Sequence, residues 1–259
     1  MRFVGVDLAW SYRNPSAAVA LAWQEGIASP LAWEPALESD DQLLAFIGRV
    51  AEDGPALVAV DAPLVVPNET GARPCDLAVS RAYRRQQAGA HPANRRRLGP
   101  RVRGEELVAR LGGLGFVHSP VVRPQAPVRQ VVEVYPHPAT VELFSLPRTL
   151  KYKARRDRPY PLRWRELERY RTLLRSLAGR EPPMEAGLFL AELDPVGRRG
   201  RSLKRCEDLL DALFCAYLAL HIWYWGEAGY RRFGDLATGY ILVPVRPELT
   251  DRGTPAGLG

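Results

Sequence analysis

Cysteine is scarce in this 259-residue chain: Cys75, Cys206 and Cys215, with no Cys-x-x-Cys spacing among them. An odd count without paired spacing excludes a disulfide framework and a thiolate zinc site. Cys206 and Cys215 lie nine apart, which on a helix puts them on opposite faces. Lysine is nearly absent, occurring only at positions 151, 153 and 204, so the positive charge is almost entirely arginine. Arginine forks match phosphate geometry better than an ammonium does. Genomic base composition can enrich arginine too, so its clustering carries more meaning than its identity. Long apolar runs are missing except from Leu209 to Trp225, which contains Asp211 and His221 and is short for a bilayer span. The N-terminus does not read as a signal peptide, because Asp7 sits where the apolar core of one should be. The expectation is a cytoplasmic protein without a membrane partner.

What is present is a 46% hydrophobic chain, enough for one large domain carrying insertions. The net charge of +7 is unevenly placed. Residues 1–80 hold four Arg against eleven acids, a balance of −7, and residues 81–259 hold 32 basic groups against 18 acids, a balance of +14.

The first ten residues, MRFVGVDLAW, set the pattern for the rest. Phe3, Val4 and Val6 are strand formers running into a carboxylate at Asp7. The motif returns at Leu57-Val58-Ala59-Val60-Asp61, and at Val131-Val132-Glu133-Val134 with one further apolar residue beyond the acid. A carboxylate ending an apolar strand is costly unless something positive meets it. If parallel strands deliver these acids to one sheet edge, the result is a carboxylate cluster suited to a divalent metal.

In chain order, a polar turn at Ser11–Pro15 leads to an apolar segment, Ala17 to Trp23, expected to pair back antiparallel, and Gly26 introduces a third strand over about 27–33. Ser39-Asp40-Asp41 supplies an N-cap for a helix carrying Leu43, Leu44, Phe46, Ile47 and Val50, and a strand follows at 56–61. The order to this point is β-β-β-α-β. Residues 64–128 lose the strand pattern and read as a basic insertion outside the sheet, with helices near 76–87 and 104–111. Within it, positions 81–110 hold nine Arg against Glu105 and Glu106. A strand resumes at 128–134, stopped by Tyr135-Pro136-His137-Pro138, and a helical turn is expected at 140–144. Residues 148–180 carry twelve basic groups, with Trp164, Leu167, Tyr170, Leu173, Leu174 and Leu177 at helical spacing. The helix from about 205 to 225 is apolar nearly all round, which predicts burial against the sheet. Tyr240–Pro244 reads as a short closing strand. The expected organisation is one domain over 1–247 and a flexible tail over 248–259.

Sites of open α/β sheets lie at the carboxyl ends of parallel strands. Asp7, Asp61 and Glu133 occupy those ends, and the buried helix adds Glu207, Asp208 and Asp211. Glu207 and Asp208 also suit a first helical turn by charge alone. Strand-end acids can equally cap loop amides. Asp211, inside an apolar run, has no such explanation, and a bound cation would offset its burial. The expected catalytic set is Asp7, Asp61, Glu133, Asp208 and Asp211, with Asp7, Asp61, Glu133 and Asp211 as ligands of Mg²⁺ or Mn²⁺. Arg95, Arg96, Arg97, Lys151 and Lys153 are the expected phosphate contacts, and His137 the candidate proton carrier. Gly112-Gly113-Leu114-Gly115 lacks both a preceding strand and dinucleotide spacing.

Several segments together resemble the DUF429 family, regarded as predicted nucleases of ribonuclease H-like fold. They are Gly5-Val6-Asp7-Leu8-Ala9, Val58-Ala59-Val60-Asp61-Ala62-Pro63, Glu133-Val134-Tyr135-Pro136, Lys151-Tyr152-Lys153 and Asp208-Leu209-Leu210-Asp211-Ala212. The closing Asp-x-x-Asp-Ala also resembles that of RuvC-type Holliday junction resolvases. The resemblance implies an α/β fold with a mixed five-stranded sheet of order 3-2-1-4-5, flanked by helices. It further implies acids on the first and fourth strands and the last helix, and divalent-metal chemistry. Asp61 stands where a glutamate is usual in the resolvases, and the basic insertion is additional. A resolvase-like reading would also require a homodimer.

The leading expectation is therefore a metal-dependent nuclease acting on DNA or RNA. A non-catalytic nucleic-acid-binding protein of the same fold would bind without metal and tolerate loss of Asp61. An ATP-dependent phosphotransferase of the actin and sugar-kinase group shares the Gly-x-Asp strand, but it needs a glycine-rich loop where this chain has Leu8-Ala9-Trp10.

Overall fold

The computed structural model describes residues 1–247, so the expected tail at 248–259 lies outside the described residues. The chain opens with strand β1 (Arg2–Asp7), β2 (Ser16–Gln24) and β3 (Ile27–Leu37), then helix α1 (Asp40–Ala51) and β4 (Ala56–Val60). Next come α2 (Pro74–Ala82), α3 (Arg95–Leu98), α4 (Arg103–Gly112), β5 (Val117–His118), β6 (Arg129–Glu133) and α5 (Pro136–Phe144). The described chain ends with α6 (Tyr160–Arg175), α7 (Gly187–Glu192), α8 (Gly200–Trp225) and a hairpin of β7 (Tyr230–Asp235) and β8 (Gly239–Pro244).

The main sheet is mixed and six-stranded, in the order β3-β2-β1-β4-β6-β5. β1, β2 and β3 form an antiparallel meander, and β4, β6 and β5 run parallel to β1. Two expectations are corrected here. The segment 64–128 does not stay outside the sheet, because its Val117–His118 pairs with β6 as a sixth, edge strand. Two residues carry too little alternation to be seen in sequence. Tyr240–Pro244 is a strand, but its ladder is with β7 in a separate two-stranded sheet, and it meets the main sheet at a single bridge from Leu242 to Val134 past the end of β6.

Strand alternation sorts the core into two layers. Val4, Val6, Val58, Val60 and Val131 face the apolar side of α1 and Leu107 and Leu111 of α4. Phe3, Leu57, Ala59, Val132 and Val134 face α8, α5 and α6. β6 ends at Glu133, and the prolines expected to stop the strand also open α5 earlier than the turn expected at 140–144, with Pro136 in its first turn, where a missing N–H costs nothing and φ is preset. α8 starts at Gly200, earlier than expected, and reaches 26 residues. With the turn that follows, it is long and apolar enough to cross a membrane by length and composition, but 89% of that window is buried inside the protein.

One glycine decides how close α8 comes. A Cβ on Gly5 would lie 2.1 Å from Ala212 O and from Ala216 N, so only glycine lets the α8 backbone rest on the middle of β1. With this contact at Ala212, Asp211 is the preceding residue of α8 and Asp208 lies one turn back, while two residues along β1 reaches Asp7.

Candidate active site

Val6 is level with Val60 across β1 and β4, and the Asp61 N–H donates to Val6 O at 2.9 Å. Asp7 and Asp61 are thereby neighbours at the carboxyl ends of adjacent parallel strands, on the parity of Gly5 and Ala59 that α8 covers. Both are partly buried, and among the described residues neither carboxylate has a hydrogen bond or ion pair. Burial first, and then the charge of Asp7, raise the Asp61 pKa well above the carboxylate range.

The acids of α8 are matched by cations. Lys153 Nζ lies 2.6 Å from Asp211 Oδ2 and 3.3 Å from Glu207 Oε1, and Arg163 Nη2 is 3.4 Å from Glu207 Oε2. The Tyr152 hydroxyl donates to Asp211 Oδ1 at 2.6 Å, and Lys204 pairs with Asp208 one turn along the helix. Burial, then Asp7, push the Asp208 pKa to about 8, although Lys204 and Lys153 pull against it. Burial alone would lower the Lys153 pKa, but Asp211, Asp7 and Glu207 outweigh it and hold the ammonium charged.

Glu133 shares a small pocket with Asp61 but is turned to a partner of its own. It is level with Val60, one position short of Asp61, and therefore on the opposite parity of the sheet. Its Oε1 accepts from Arg73 Nη2 at 2.6 Å, and its Oε2 accepts from Arg73 Nη1 at 3.0 Å and from the Leu64 N–H at 2.8 Å. Arg73 also bonds Asp76 at 2.8 Å, so the acid of β6 anchors the 64–128 segment through a buried guanidinium. The four expected ligands, Asp7, Asp61, Glu133 and Asp211, consequently do not form one set. Among the described residues, no three or more His, Cys, Asp or Glu side chains are arranged to hold a metal ion. Glu133 and Asp211 already face Arg73 and Lys153.

Two grooves meet at Asp7. One, of about 690 Å³, runs past Arg13, Asn14, Arg201, Lys204, Arg205 and Asp208. The other, of about 840 Å³, runs past Asp61, His91, His137, Lys151, Arg155 and Arg158. Asp7, Ala9 and Trp10 line both. The result is an acidic floor with basic walls on either side. Of the expected phosphate contacts, Lys151 lines a groove wall and Lys153 points at the acids. Arg95, Arg96 and Arg97 line neither groove; Arg95 pairs with Glu105 at 3.0 Å and Arg97 donates to Pro92 O at 3.1 Å. His137 does line the second groove, but burial and then Lys153 lower its pKa to about 4, so it is neutral at pH 7 and has no proton to give there.

Sequence reasoning missed the cations that organise this region. Arg103 bonds Asp40 at 2.7 Å and donates to the carbonyls of Ala9, Ser11 and Asn14, fixing the β1–β2 turn that walls the first groove. Lys204 and Asp208 stand at i,i+4 and were open to discovery by spacing. Arg73 pairs with Asp76 at i,i+3 but its reach to Glu133, like that of Arg103 to Asp40, carries no local signal, and Lys153 was singled out as a phosphate contact and not as the partner of Asp211.

A family model described as protein of unknown function, DUF429, matches residues 5–236. No curated protein and no solved structure matches the chain.

Proposed function

The chain belongs to the DUF429 family, and from that premise we propose that it is a divalent-metal-dependent phosphodiesterase of ribonuclease H-like architecture, acting on nucleic acid. The observation that carries the reading is the pair Asp7 and Asp61: two adjacent carboxylates that form no hydrogen bond or ion pair, on the floor of a cleft with arginines along both walls. Without metal the pair is held at a cost, since burial and the charge of Asp7 raise the Asp61 pKa well above the carboxylate range, and a bound cation would relieve it. The donors fit Mg²⁺ or Mn²⁺, hard cations commonly held by one or two carboxylates and completed by water and substrate phosphate. That habit also reconciles the reading with the lack of a three-residue ligand set.

Asp7 and Asp61 would hold the ion, with Asp208 beside Asp7 as a further acceptor. When bound, such an ion supplies a nucleophilic water at neutral pH and charge compensation at the phosphate. The remaining work belongs to the chain. Arg13, Arg201 and Arg205 on one side and Lys151, Arg155 and Arg158 on the other are placed to hold successive phosphates of a strand crossing Asp7. Trp10, at the junction of the grooves, offers a ring for a base to stack on. The meander followed by parallel strands, with α8 across them, supports the ribonuclease H-like assignment. The phosphotransferase reading has no support at the loop after β1, which is Leu8-Ala9-Trp10.

The test is calorimetric titration of Mn²⁺ into the wild type and Asp7→Asn, paired with cleavage assays on single-stranded DNA, duplex DNA and RNA. The expected result is binding to the wild type alone and Mn²⁺-dependent cleavage lost in Asp7→Asn. Salt-sensitive nucleic-acid binding with neither metal uptake nor cleavage would replace this reading with the non-catalytic one.

A further inference from the structure

Resting on the metal-site reading above, we propose that Lys153 stands in for a second cation, so that the site takes one divalent ion, at Asp7 and Asp61, and not a pair. Charge matching in the cluster is the ground for this. Glu207, Asp208 and Asp211 lie two to three turns into α8, and each already faces a cation of the chain: Arg163 and Lys153, Lys204, and Lys153 respectively. Among these acids only Asp7 and Asp61 form no hydrogen bond or ion pair, although the charges of Lys153 and Lys204 act on them through space, and two ionised carboxylates match a single divalent ion. The ions of a two-metal phosphodiesterase lie about 3.5–4 Å apart and share ligands. A second ion would therefore need the acids of α8, which the Lys153 ammonium occupies at 2.6 Å from Asp211 and 3.3 Å from Glu207.

Lys153 is also poorly placed to withdraw. The segment carrying it is tied at three successive residues: the Lys151 N–H donates to Glu166 at 2.9 Å, Tyr152 O accepts from Arg163 at 2.9 Å, and Lys153 O accepts from Arg158 at 3.2 Å. The side chains of Asp211 and Glu207 are 1% and 2% exposed; removing the ammonium would leave Asp211 without a cation and with only the Tyr152 hydroxyl, while Glu207 would keep Arg163. A fixed ammonium beside the bound ion supplies positive charge next to the phosphate without a second ligand shell. It carries one charge where a second ion would carry two, and it stays in place when the site is metal-free.

The experiment counts ions. Mn²⁺ is titrated into the full chain at neutral pH, by calorimetry and by electron paramagnetic resonance of the bound ion. The wild type should take one Mn²⁺ per chain, with the resolved hyperfine pattern of an isolated ion. Lys153→Met should take two, with the broadened, exchange-coupled spectrum of a close pair, and Lys153→Arg should hold the count at one. Two ions per wild-type chain, one ion in a folded Lys153→Met, or two in Lys153→Arg would overturn the proposal while leaving the metal site standing. No Mn²⁺ bound to the wild type would overturn the metal reading itself. Circular dichroism checks the fold of Lys153→Met; if that variant does not fold, the wild-type and Lys153→Arg counts decide.

Discussion

Three strand-end acids that look alike in sequence have different surroundings. Asp7 and Asp61 sit unpartnered beside each other, and Glu133 is bound by Arg73 and the Leu64 amide. This separates their effects on stability. Asp208, with a pKa of about 8, and Asp61, raised well above the ordinary range, both keep protons in the fold that the unfolded chain has already released. The native state thus binds more protons, and the stability of the metal-free protein should fall as pH rises from about 4 to about 8. Asp7→Asn removes the charge that opposes both groups. Thermal melts in chelator should show a higher Tm for the variant, by roughly 2–4 °C per 1 kcal/mol, with a shallower decline toward high pH. A lower Tm at every pH would mean that the attraction of Asp7 for Lys153 and Lys204 outweighs its opposition to Asp61 and Asp208. Glu133→Gln should instead cost about 3–5 kcal/mol in urea denaturation, because it removes a charge from a buried pair, while leaving Mn²⁺ uptake intact. Lost uptake at unchanged stability would assign Glu133 to the metal.

At the scale of elements, the site depends on α8 lying directly on β1. Gly5→Ala would press a Cβ against Ala212 O and Ala216 N at 2.1 Å, backbone atoms that move only if the whole helix moves. The expected cost is about 3 kcal/mol or more, above the usual range for overpacking, with weakened Mn²⁺ binding in whatever folds. Wild-type stability in this variant would show that α8 can lift off β1 freely. Most elements were legible because their signals are local. The Ser39 cap and apolar spacing predicted α1, and the all-round apolar run predicted a buried α8. The elements misread were those whose partners decide them. Pro136 both follows the strand it was expected to stop and starts a helix placed four residues late, and β8 is a strand whose sheet its own residues do not specify.

At the scale of the molecule, the two grooves meeting at Asp7 predict how a substrate lies. A strand crossing the site should touch both walls, so Arg201→Ala with Arg205→Ala and Arg155→Ala with Arg158→Ala should each weaken binding. Each pair should reduce the slope of log K against log salt by roughly 0.7–0.9 for every phosphate left without its arginine. A small phosphorylated ligand would respond to one wall only, and fluorescence anisotropy across a salt series separates the two cases.

From its sequence alone this chain determined that apolar strands would end on acids, that a buried helix would carry more of them, and that positive charge would gather after residue 80. These are local properties of composition and period, readable without knowing what lies opposite. Tertiary structure decided which acids meet. The one-residue offset of Glu133 was visible as an extra apolar residue beyond the acid, but it became a change of face only once β4 and β6 were in register. Lys153, Lys204, Arg73 and Arg103 divide the carboxylates into neutralised and open ones. Except for Lys204, whose acid lies one helical turn away, they do so across large sequence separations or by burial that no spacing rule encodes. A charged side chain's role depends on what it faces, and what it faces depends on how the chain packs.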